Sequence, residues 1–411
     1  MTVHTPSPNH GKRRRRAHQK SRKGCGNCKL RRVKCDETQP RCEKCTSFGV
    51  TCNYDSTPDE LQLAMKGSFV IETPQKSPVS LNQTVLNMIN TPLRLQSHPE
   101  TTPLLYELCE EDLRVVSKFQ SRTILTVGTR ENIHIYQNAW FRMACQHPML
   151  MHVVLAMTLM HDRYLSGFAE TPQSVMEAYH HYEGIKLFHR ALSQPIKPSE
   201  KDALWASAAL LSVLSFASID ARTYEEAWPL KSPSVSDLDW LRMTQGKKAV
   251  WKLADPMRRE SVIREAWTSE QSEAPHSTQE PNLRSCPTLL ELYNLDEDLA
   301  DEDNSYYKAV SLLMPLLEIE CNHSTIAKFL SFIGQTSAEF QRLLGLKDPK
   351  ALLLLAYWYG KLCQYDQWWN KPRAVLECQA ICVFLERYHS HETRIQMLSY
   401  FPRAMCGLDA G

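Results

Sequence analysis

Residues 25–52, CGNCKLRRVKCDETQPRCEKCTSFGVTC, decide the fold at the N-terminal end of this 411-residue chain. Six of the 14 cysteines in the sequence lie in this stretch, with the spacing C-x2-C-x6-C-x6-C-x2-C-x6-C. The second half repeats the first at an offset of 17 residues: Cys25, Cys28 and Cys35 are followed by Cys42, Cys45 and Cys52. The first 55 residues contain no apolar segment typical of a secretory signal, so we expect thiols or metal ligands rather than disulfides.

This set of thiols suits two zinc ions that share ligands. A structural zinc site is tetrahedral and favours thiolates, so two separate sites would need eight sulfurs. Six sulfurs suffice if two of them bridge both metals. The stretch has few core-forming side chains of its own, and a segment below ~40 residues usually needs bound metal or disulfides to fold. We therefore expect it to fold only with metal bound.

Other kinds of cysteine chemistry fit this spacing less well. A single four-cysteine ribbon leaves Cys35 and Cys52 without a role. A zinc deaminase needs H-x-E upstream of P-C-x-x-C, whereas here Arg41 separates Pro40 from Cys42 and no H-x-E precedes them. A redox C-x-x-C lies near a βαβ pattern, which we do not find in the sequence.

Residues 24–37, GCGNCKLRRVKCDE, resemble the fungal binuclear zinc cluster transcription factors, in particular the sterol uptake control branch and its filamentous-fungal relatives. The resemblance implies that two Zn(II) ions are bound and that the first and fourth cysteines, Cys25 and Cys42, bridge them. It also implies that Pro40 shapes the loop that joins the two halves.

The same resemblance implies contacts with double-stranded DNA. A first short helix would enter the major groove and read a CGG-type triplet through Arg31 and Arg32, with Lys29 and Lys34 on phosphates. The residue types agree, because arginine matches the guanine edge and lysine suits phosphate as a point charge. We predict a short helix over 29–34, held by metal ligation rather than by packing.

The charge of the chain is divided unevenly between its two ends. Residues 1–54 hold 14 of the 48 Lys and Arg residues against three acidic ones, although the whole chain carries only +2. The run from Lys12 to Lys23 is typical of a nuclear import signal, of a phosphate-binding arm, or of both. We expect both uses here, with Lys20, Arg22 and Lys23 on DNA, import machinery as a partner and the nucleus as location.

Residues 55–104 read as a flexible linker. They contain six prolines and no sustained helical periodicity, and Leu81, Val85 and Met88 could form only two turns. A coiled coil needs three or four heptads, so this segment leaves dimerisation open. The resulting division is a basic disordered tail (1–23), the zinc cluster domain (24–54), the linker (55–104) and a large domain (105–411).

The large region 105–411 is predicted to be all-α. Apolar residues at helical spacing predict six helices, over 149–160, 203–219, 309–319, 326–333, 351–362 and 374–388. The segment 203–219 is shorter than the ~20 residues of a membrane span and has aspartates at both flanks, so we interpret it as a buried core helix. The eight remaining cysteines, scattered among apolar stretches, are expected to be buried small hydrophobes.

Three pieces of this region resemble the regulatory region of the same family: 147–152, Trp240-Leu241 and Trp368-Trp369. The resemblance implies an inhibitory, effector-responsive domain, which in the sterol branch binds a sterol. An apolar pocket between helices for a small apolar effector is physically reasonable, and so is the alternative that these aromatics are merely core. Residues 292–303 resemble an acidic activation segment, with a solvated helix start as the alternative.

We found no catalytic motif: no G-x-S-x-G, P-loop, G-x-G-x-x-G after a strand, or H-E-x-x-H. The protein is therefore predicted to be no enzyme, but a regulator of RNA polymerase II transcription that recruits co-regulators. It would bind CGG-like or sterol-response-like elements and control a secondary-metabolite gene cluster or sterol and lipid genes. The alternative is a lipid-responsive receptor in which the helical domain is the primary functional unit.

Overall fold

The computed structural model describes residues 23–47, 107–129, 132–167, 171–264, 287–295 and 304–408, with isolated positions between 50 and 54 and between 84 and 91. The chain divides into two compact units, Met1–Lys76 and Ser77–Gly411. Throughout the described ranges the regular secondary structure is helical and includes no β-strand, which confirms the predicted fold class.

Among its described residues, the first unit contains two very short helices, α1 (Gly26–Leu30) and α2 (Glu43–Thr46). A helix of four or five residues is unstable alone, because one turn orders several residues for very few hydrogen bonds. Each of these helices begins directly after a cysteine and contains another. Their stability must therefore come from what the thiols hold.

The second unit is built from helices joined by short connections. In chain order they are α3 (Glu110–Lys118), α4 (Ile133–Gln146), α5 (Pro148–Leu165), α6 (Val175–Leu192), α7 (Lys201–Ala217), α8 (Asp239–Ala254), α9 (Pro287–Leu292), α10 (Tyr307–Leu317), α11 (Ile326–Gln335), α12 (Ala338–Gly345), α13 (Pro349–Leu362), α14 (Lys371–Tyr388), α15 (Thr393–Leu398) and α16 (Tyr400–Met405).

All six predicted helices are present; five lie within three residues of their predicted bounds, and α5 extends five residues beyond its predicted end at residue 160. Among them, α5, α7 and α13 are buried on nearly every side, as their continuous apolar composition predicts. The helix α13 is the centre of the unit, since every residue from Ala351 to Leu362 is buried. None of the described helices is both long enough and apolar enough to cross a lipid bilayer.

Sequence reasoning missed eight of the fourteen helices given above, and the longest of these are α4, α6 and α8. Their exposed faces are polar, and α6 also exposes Val175 and Tyr182, so their apolar stripes are incomplete. The predicted acidic activation segment lies mostly outside the described residues, which end at Leu295 and resume at Asn304.

An aromatic cluster joins α7, α8 and α13. The indoles of Trp240 and Trp358 stack with ring centroids 5.9 Å apart, and Phe216 meets Trp240 edge-on at 5.2 Å. Such pairs add about 0.5–1.5 kcal/mol each beyond the area they bury. Trp368 and Trp369 are also buried, and both indole N–H groups donate to Thr126, at its Oγ1 (2.8 Å) and its carbonyl oxygen (2.7 Å).

A buried ion pair ties α14 to the end of α7. Arg373 pairs with Glu377 one turn further along α14, and Tyr359 donates its hydroxyl to the same carboxylate. The Arg373 guanidinium also donates to the carbonyls of Phe216 (2.7 Å) and Ser218 (2.6 Å). These carbonyls lie at the C-terminal end of α7, where they lack partners within the helix, so Arg373 supplies them.

Part of the predicted linker belongs to the helical unit. The described positions from 84 to 91 are helical, and Leu86 and Ile89 are buried in the main core. Asn90 exchanges two hydrogen bonds with the backbone of Leu108, at 3.0 and 2.9 Å. These positions are therefore part of the helical unit, although the predicted linker 55–104 included them.

Candidate metal centre and nucleic-acid interface

The six clustered cysteines come together as two overlapping groups of four thiols. Within each group every Sγ lies within 4.8 Å of the others; the groups are Cys25, Cys28, Cys35, Cys42 and Cys25, Cys42, Cys45, Cys52. The shared pair, Cys25 and Cys42, is the pair that the resemblance implies as bridging. Five of the six thiols are buried, and Cys52 is half-buried.

The sulfur spacing fits tetrahedral zinc. A zinc–sulfur bond of ~2.3 Å gives a regular tetrahedron an edge of about 3.8 Å. Within the groups, Cys25 lies 3.8 Å from Cys42 and 3.4 Å from Cys45, and Cys28 lies 3.6 Å from Cys42. Cys28 and Cys45, which belong to different groups, are 3.9 Å apart. Two zinc ions can thus each obtain four sulfurs from six thiols.

The backbone repeats with the sequence. Cys25 caps α1 by accepting a hydrogen bond from the Cys28 amide at 3.4 Å, and Cys42 caps α2 by accepting one from the Cys45 amide at 3.3 Å. The next turn also repeats, because the Val33 amide donates to the Cys28 carbonyl and the Val50 amide to the Cys45 carbonyl, both at 3.1 Å. Each half therefore offers its thiols from the same local structure.

The thiols are electrostatically coupled. Burial opposes ionisation of Cys25, but hydrogen bonds from the Cys28 amide and from neighbouring thiols outweigh it and lower its pKa to about 6. Burial, followed by the hydrogen bonds of the neighbouring thiols, raises the pKa of Cys28 and of Cys45. Six thiols this close cannot all ionise without a cation among them, which is what bound zinc supplies.

The loop between the halves is fixed by residues that sequence reasoning did not select. The Asp36 carboxylate accepts hydrogen bonds from the Thr38 amide (3.0 Å) and from the Lys44 amide of α2 (3.3 Å). Tyr54 donates to the Thr38 carbonyl at 3.0 Å, and its hydroxyl lies 3.7 Å from the Cys35 sulfur. Pro40 lies in this loop and follows a cis peptide bond.

The predicted helix over 29–34 is wrong in its bounds. The helix α1 begins at Gly26 and ends at Leu30, and Arg32 adopts a left-handed backbone with φ of 56°. The physical reason is the third cysteine: a helix that continued to residue 34 would carry Cys35 away from the other thiols. The chain must turn back after one helical turn to bring Cys35 to the same group.

The basic residues predicted to contact DNA lie around this turn. Lys29, Arg32 and Lys34 are exposed, as is Lys23 at the start of the described region. Arg31 is half-buried and donates its Nη2 to the Lys44 carbonyl at 3.4 Å, which links α1 to α2. Lys20 and Arg22 lie outside the described residues.

The helical unit has a small cavity beside the aromatic cluster. It has a volume of about 40 Å³, and its lining includes Phe216, Trp240, Trp358 and the partly polar pair Thr244 and Lys247. Burial lowers the pKa of Lys247. A single water needs at least ~10–15 Å³, so this space holds about three waters and is too small for a sterol.

Residues 23–61 match the family model of the fungal Zn(2)-Cys(6) binuclear cluster domain. The match includes all six clustered cysteines. A domain of this type binds two zinc ions, the number that the two overlapping thiol groups accommodate.

Similarity to known proteins extends beyond this domain. The chain is 27% identical over 423 residues to a Zn(2)-C6 fungal-type transcription factor of Gibberella zeae, covering 90% of this chain and 83% of that protein. It is 28% identical over 207 residues to the aspercryptin biosynthesis cluster-specific transcription regulator atnN of Emericella nidulans, covering 46% of this chain and 30% of that one. Against the sterol uptake control protein 2 of Saccharomyces cerevisiae, identity is 48% over 59 residues, 14% of this chain and 6% of the relative. The first two are named as transcription regulators and none of the three as an enzyme, in agreement with the predicted lack of catalysis.

Proposed function

Because the chain carries a fungal Zn(2)-Cys(6) binuclear cluster domain, we propose that it is a sequence-specific DNA-binding regulator of RNA polymerase II transcription that acts in the nucleus. One observation carries the proposal: two four-thiol groups overlap at Cys25 and Cys42. Four thiolates fill the coordination of each zinc and leave no position for water or substrate, which is the mark of a structural site.

The six cysteines are the proposed ligands. One zinc would be held by Cys25, Cys28, Cys35 and Cys42, and the other by Cys25, Cys42, Cys45 and Cys52. When bound, the metals cross-link the two halves and supply the positive charge that lets all six thiols ionise. The residues of the chain then hold α1 rigidly against α2, with Asp36 and Arg31 as further links.

The proposed DNA contacts divide into two kinds. Arg32, exposed at the end of α1, would read the base edges of a CGG-like or sterol-response-like element in the major groove. Lys29, Lys34 and Lys23, with Lys20 and Arg22 of the basic tail, would contact phosphates. Arg31, which lies between α1 and α2, would also contribute to base reading. If it keeps its hydrogen bond to the Lys44 carbonyl on DNA, its contribution is to fix the turn that presents Arg32 to the bases.

The extent of similarity favours one class of target genes. Identity to the sterol uptake control protein covers 14% of this chain, whereas identity to the aspercryptin cluster regulator covers 46%. A stretch of 59 residues is thus similar to the sterol uptake control protein, and a much longer one of 207 residues to a regulator of a biosynthetic cluster. We propose control of a secondary-metabolite gene cluster, with sterol and lipid genes as the second candidate.

The helical unit is proposed to be the regulatory domain that contacts transcription co-regulators. Its buried aromatic cluster and ion pair pack α7, α8, α13 and α14 together at the centre of the unit. A small apolar effector would have to enlarge the cavity of about 40 Å³ beside Trp240. A lipid that releases the full chain from DNA would favour the alternative of a lipid-responsive receptor.

The test is a selection of bound sequences from random double-stranded DNA with the full chain in zinc. We expect enrichment of CGG-like or sterol-response-like triplets. Arg32→Ala should weaken binding to the selected site by about 1–3 kcal/mol and relax base preference, whereas Lys34→Ala should weaken all sequences about equally. Recovery of no enriched sequence would refute the proposed function, and equal effects of the two variants would refute the assigned roles.

A further inference from the structure

Three buried cysteines of the helical unit lie together, far from the N-terminal cluster in sequence. The Sγ atoms of Cys378, Cys382 and Cys406 all lie within 4.8 Å of one another. Their exposed fractions are 0%, 1% and 4%, so the group is closed to bulk water. These three are buried in the core, as predicted for the later cysteines, but the sequence contained no sign that they lie together.

Local structure holds the group in place from two sides. Cys378 and Cys382 lie one turn apart on α14, on the same face of the helix. Cys406 directly follows α16, and the Gln379 side chain of α14 donates to its carbonyl at 2.8 Å. The approach of α16 to α13 is close as well, because a Cβ on Gly360 would lie 3.3 Å from Pro402 Cα. The group thus joins helices that are already packed.

We propose that these three thiols form a further metal site, which takes one soft, thiophilic metal ion such as Zn(II) or Cu(I). Soft thiolate sets select these ions. Sulfur bonds of ~2.3 Å place trigonal or tetrahedral ligands about 4 Å apart, which lies within the observed separations of up to 4.8 Å. Small rotations of the side chains would close the remaining gap.

Neighbouring groups complete the environment of such an ion. The thiol of Cys363, at the end of α13, is a hydrogen-bonding neighbour of Cys378 and offers a fourth sulfur for tetrahedral zinc. Three thiolates around Zn(II) leave one negative charge. Arg403 interacts electrostatically with Cys382, and its carbonyl oxygen accepts from the Cys406 thiol at 3.5 Å. The Arg403 guanidinium also pairs with Glu386 at 2.7 Å, so its charge offsets only part of the charge of the site.

The experiment is a metal count on the reduced full chain. Separate samples are loaded anaerobically with Zn(II) or, after zinc loading, with Cu(I), freed of excess metal by gel filtration and analysed by mass spectrometry. We expect one ion per chain beyond the two zincs of the N-terminal cluster. That ion should be lost in Cys382→Ala and kept in Cys28→Ala, which instead loses metal from the N-terminal cluster.

The matched control is Cys145→Ala, a half-buried thiol of α4 that belongs to no cluster of the described residues; it should keep every ion. Should Cys382→Ala fail to fold, the metal count of the unaltered chain still decides. A count of two with both metals, a disulfide among the three thiols in place of an ion, or retention of the further ion by folded Cys382→Ala would each overturn the proposal.

Discussion

Loss of one partner of the buried pair Arg373 and Glu377 should strongly destabilise the helical unit. Their side chains are 9% and 5% exposed, and the Glu377 carboxylate accepts hydrogen bonds from both Arg373 and Tyr359. Glu377→Gln keeps the size of the side chain but removes its charge. The guanidinium would then remain buried without a counter-charge between α14 and the end of α7.

The expected loss in the free energy of unfolding follows from the burial of this pair. Removal of one partner of a buried pair costs about 3–5 kcal/mol, mostly because the other charge stays desolvated. An exposed pair is worth about 0–1 kcal/mol. The unit contains such a pair in Arg342 and Glu339, whose side chains are 59% and 44% exposed and whose closest atoms are 2.7 Å apart. Glu339→Gln is therefore the matched control.

The assay is denaturant unfolding of the full chain, followed by the fluorescence of its buried tryptophans. Glu377→Gln should lower the free energy of unfolding by about 3–5 kcal/mol, and Glu339→Gln by less than about 1 kcal/mol. Equal losses in the two single variants would refute the reasoning.

Three further predictions concern protons, packing and salt. Burial lowers the pKa of both His152 and His161 to about 3. Below pH 6.5 the unfolded chain therefore binds protons that the folded chain excludes, and the free energy of unfolding should fall by about 1.4 kcal/mol per histidine per pH unit as the pH drops toward 3. Unfolding measured at pH 7 and at pH 5.5 tests this. A pH-independent stability over that range would contradict it. Gly184→Ala should destabilise the helical unit, because the new Cβ would lie 2.9 Å from a Val153 methyl. Gly246→Ala, whose new Cβ has nothing within 4 Å, should stabilise it by up to about 1 kcal/mol. Changes of the same sign for both variants in thermal unfolding would contradict this packing. Deletion of residues 12–23 should reduce the salt dependence of DNA binding by about 0.9 per lost phosphate contact, and an unchanged slope would mean that the tail does not touch DNA.

The parts of the fold that the sequence predicted are those with the clearest patterns. The helices α5, α7 and α13 are apolar on nearly every side, so their burial follows largely from composition. The helix α6 was missed because it alternates buried residues such as His180 and Gly184 with exposed apolar ones such as Tyr182. Its burial depends on close packing against α5, which no local pattern encodes.

The metal centre shows the same division. The repeated cysteine spacing predicted the ligand set and its sharing between two metals, because thiols at fixed intervals carry the chemistry directly. The end of α1 could not be read from propensity, since the return of Cys35 to the group turns the chain at Arg32. The grouping of Cys406 with Cys378 could not be foreseen either, because 28 residues separate them in sequence and helix packing joins them.

The central claim is that shared zinc holds α1 in the shape that reads DNA. The most direct measurement is the affinity of the full chain for its selected site before chelation, after chelation, and after zinc is restored. We expect chelation to abolish selective binding and to leave only salt-sensitive, sequence-independent binding, and we expect added zinc to restore selectivity. Unchanged affinity and selectivity in the metal-free chain would contradict it.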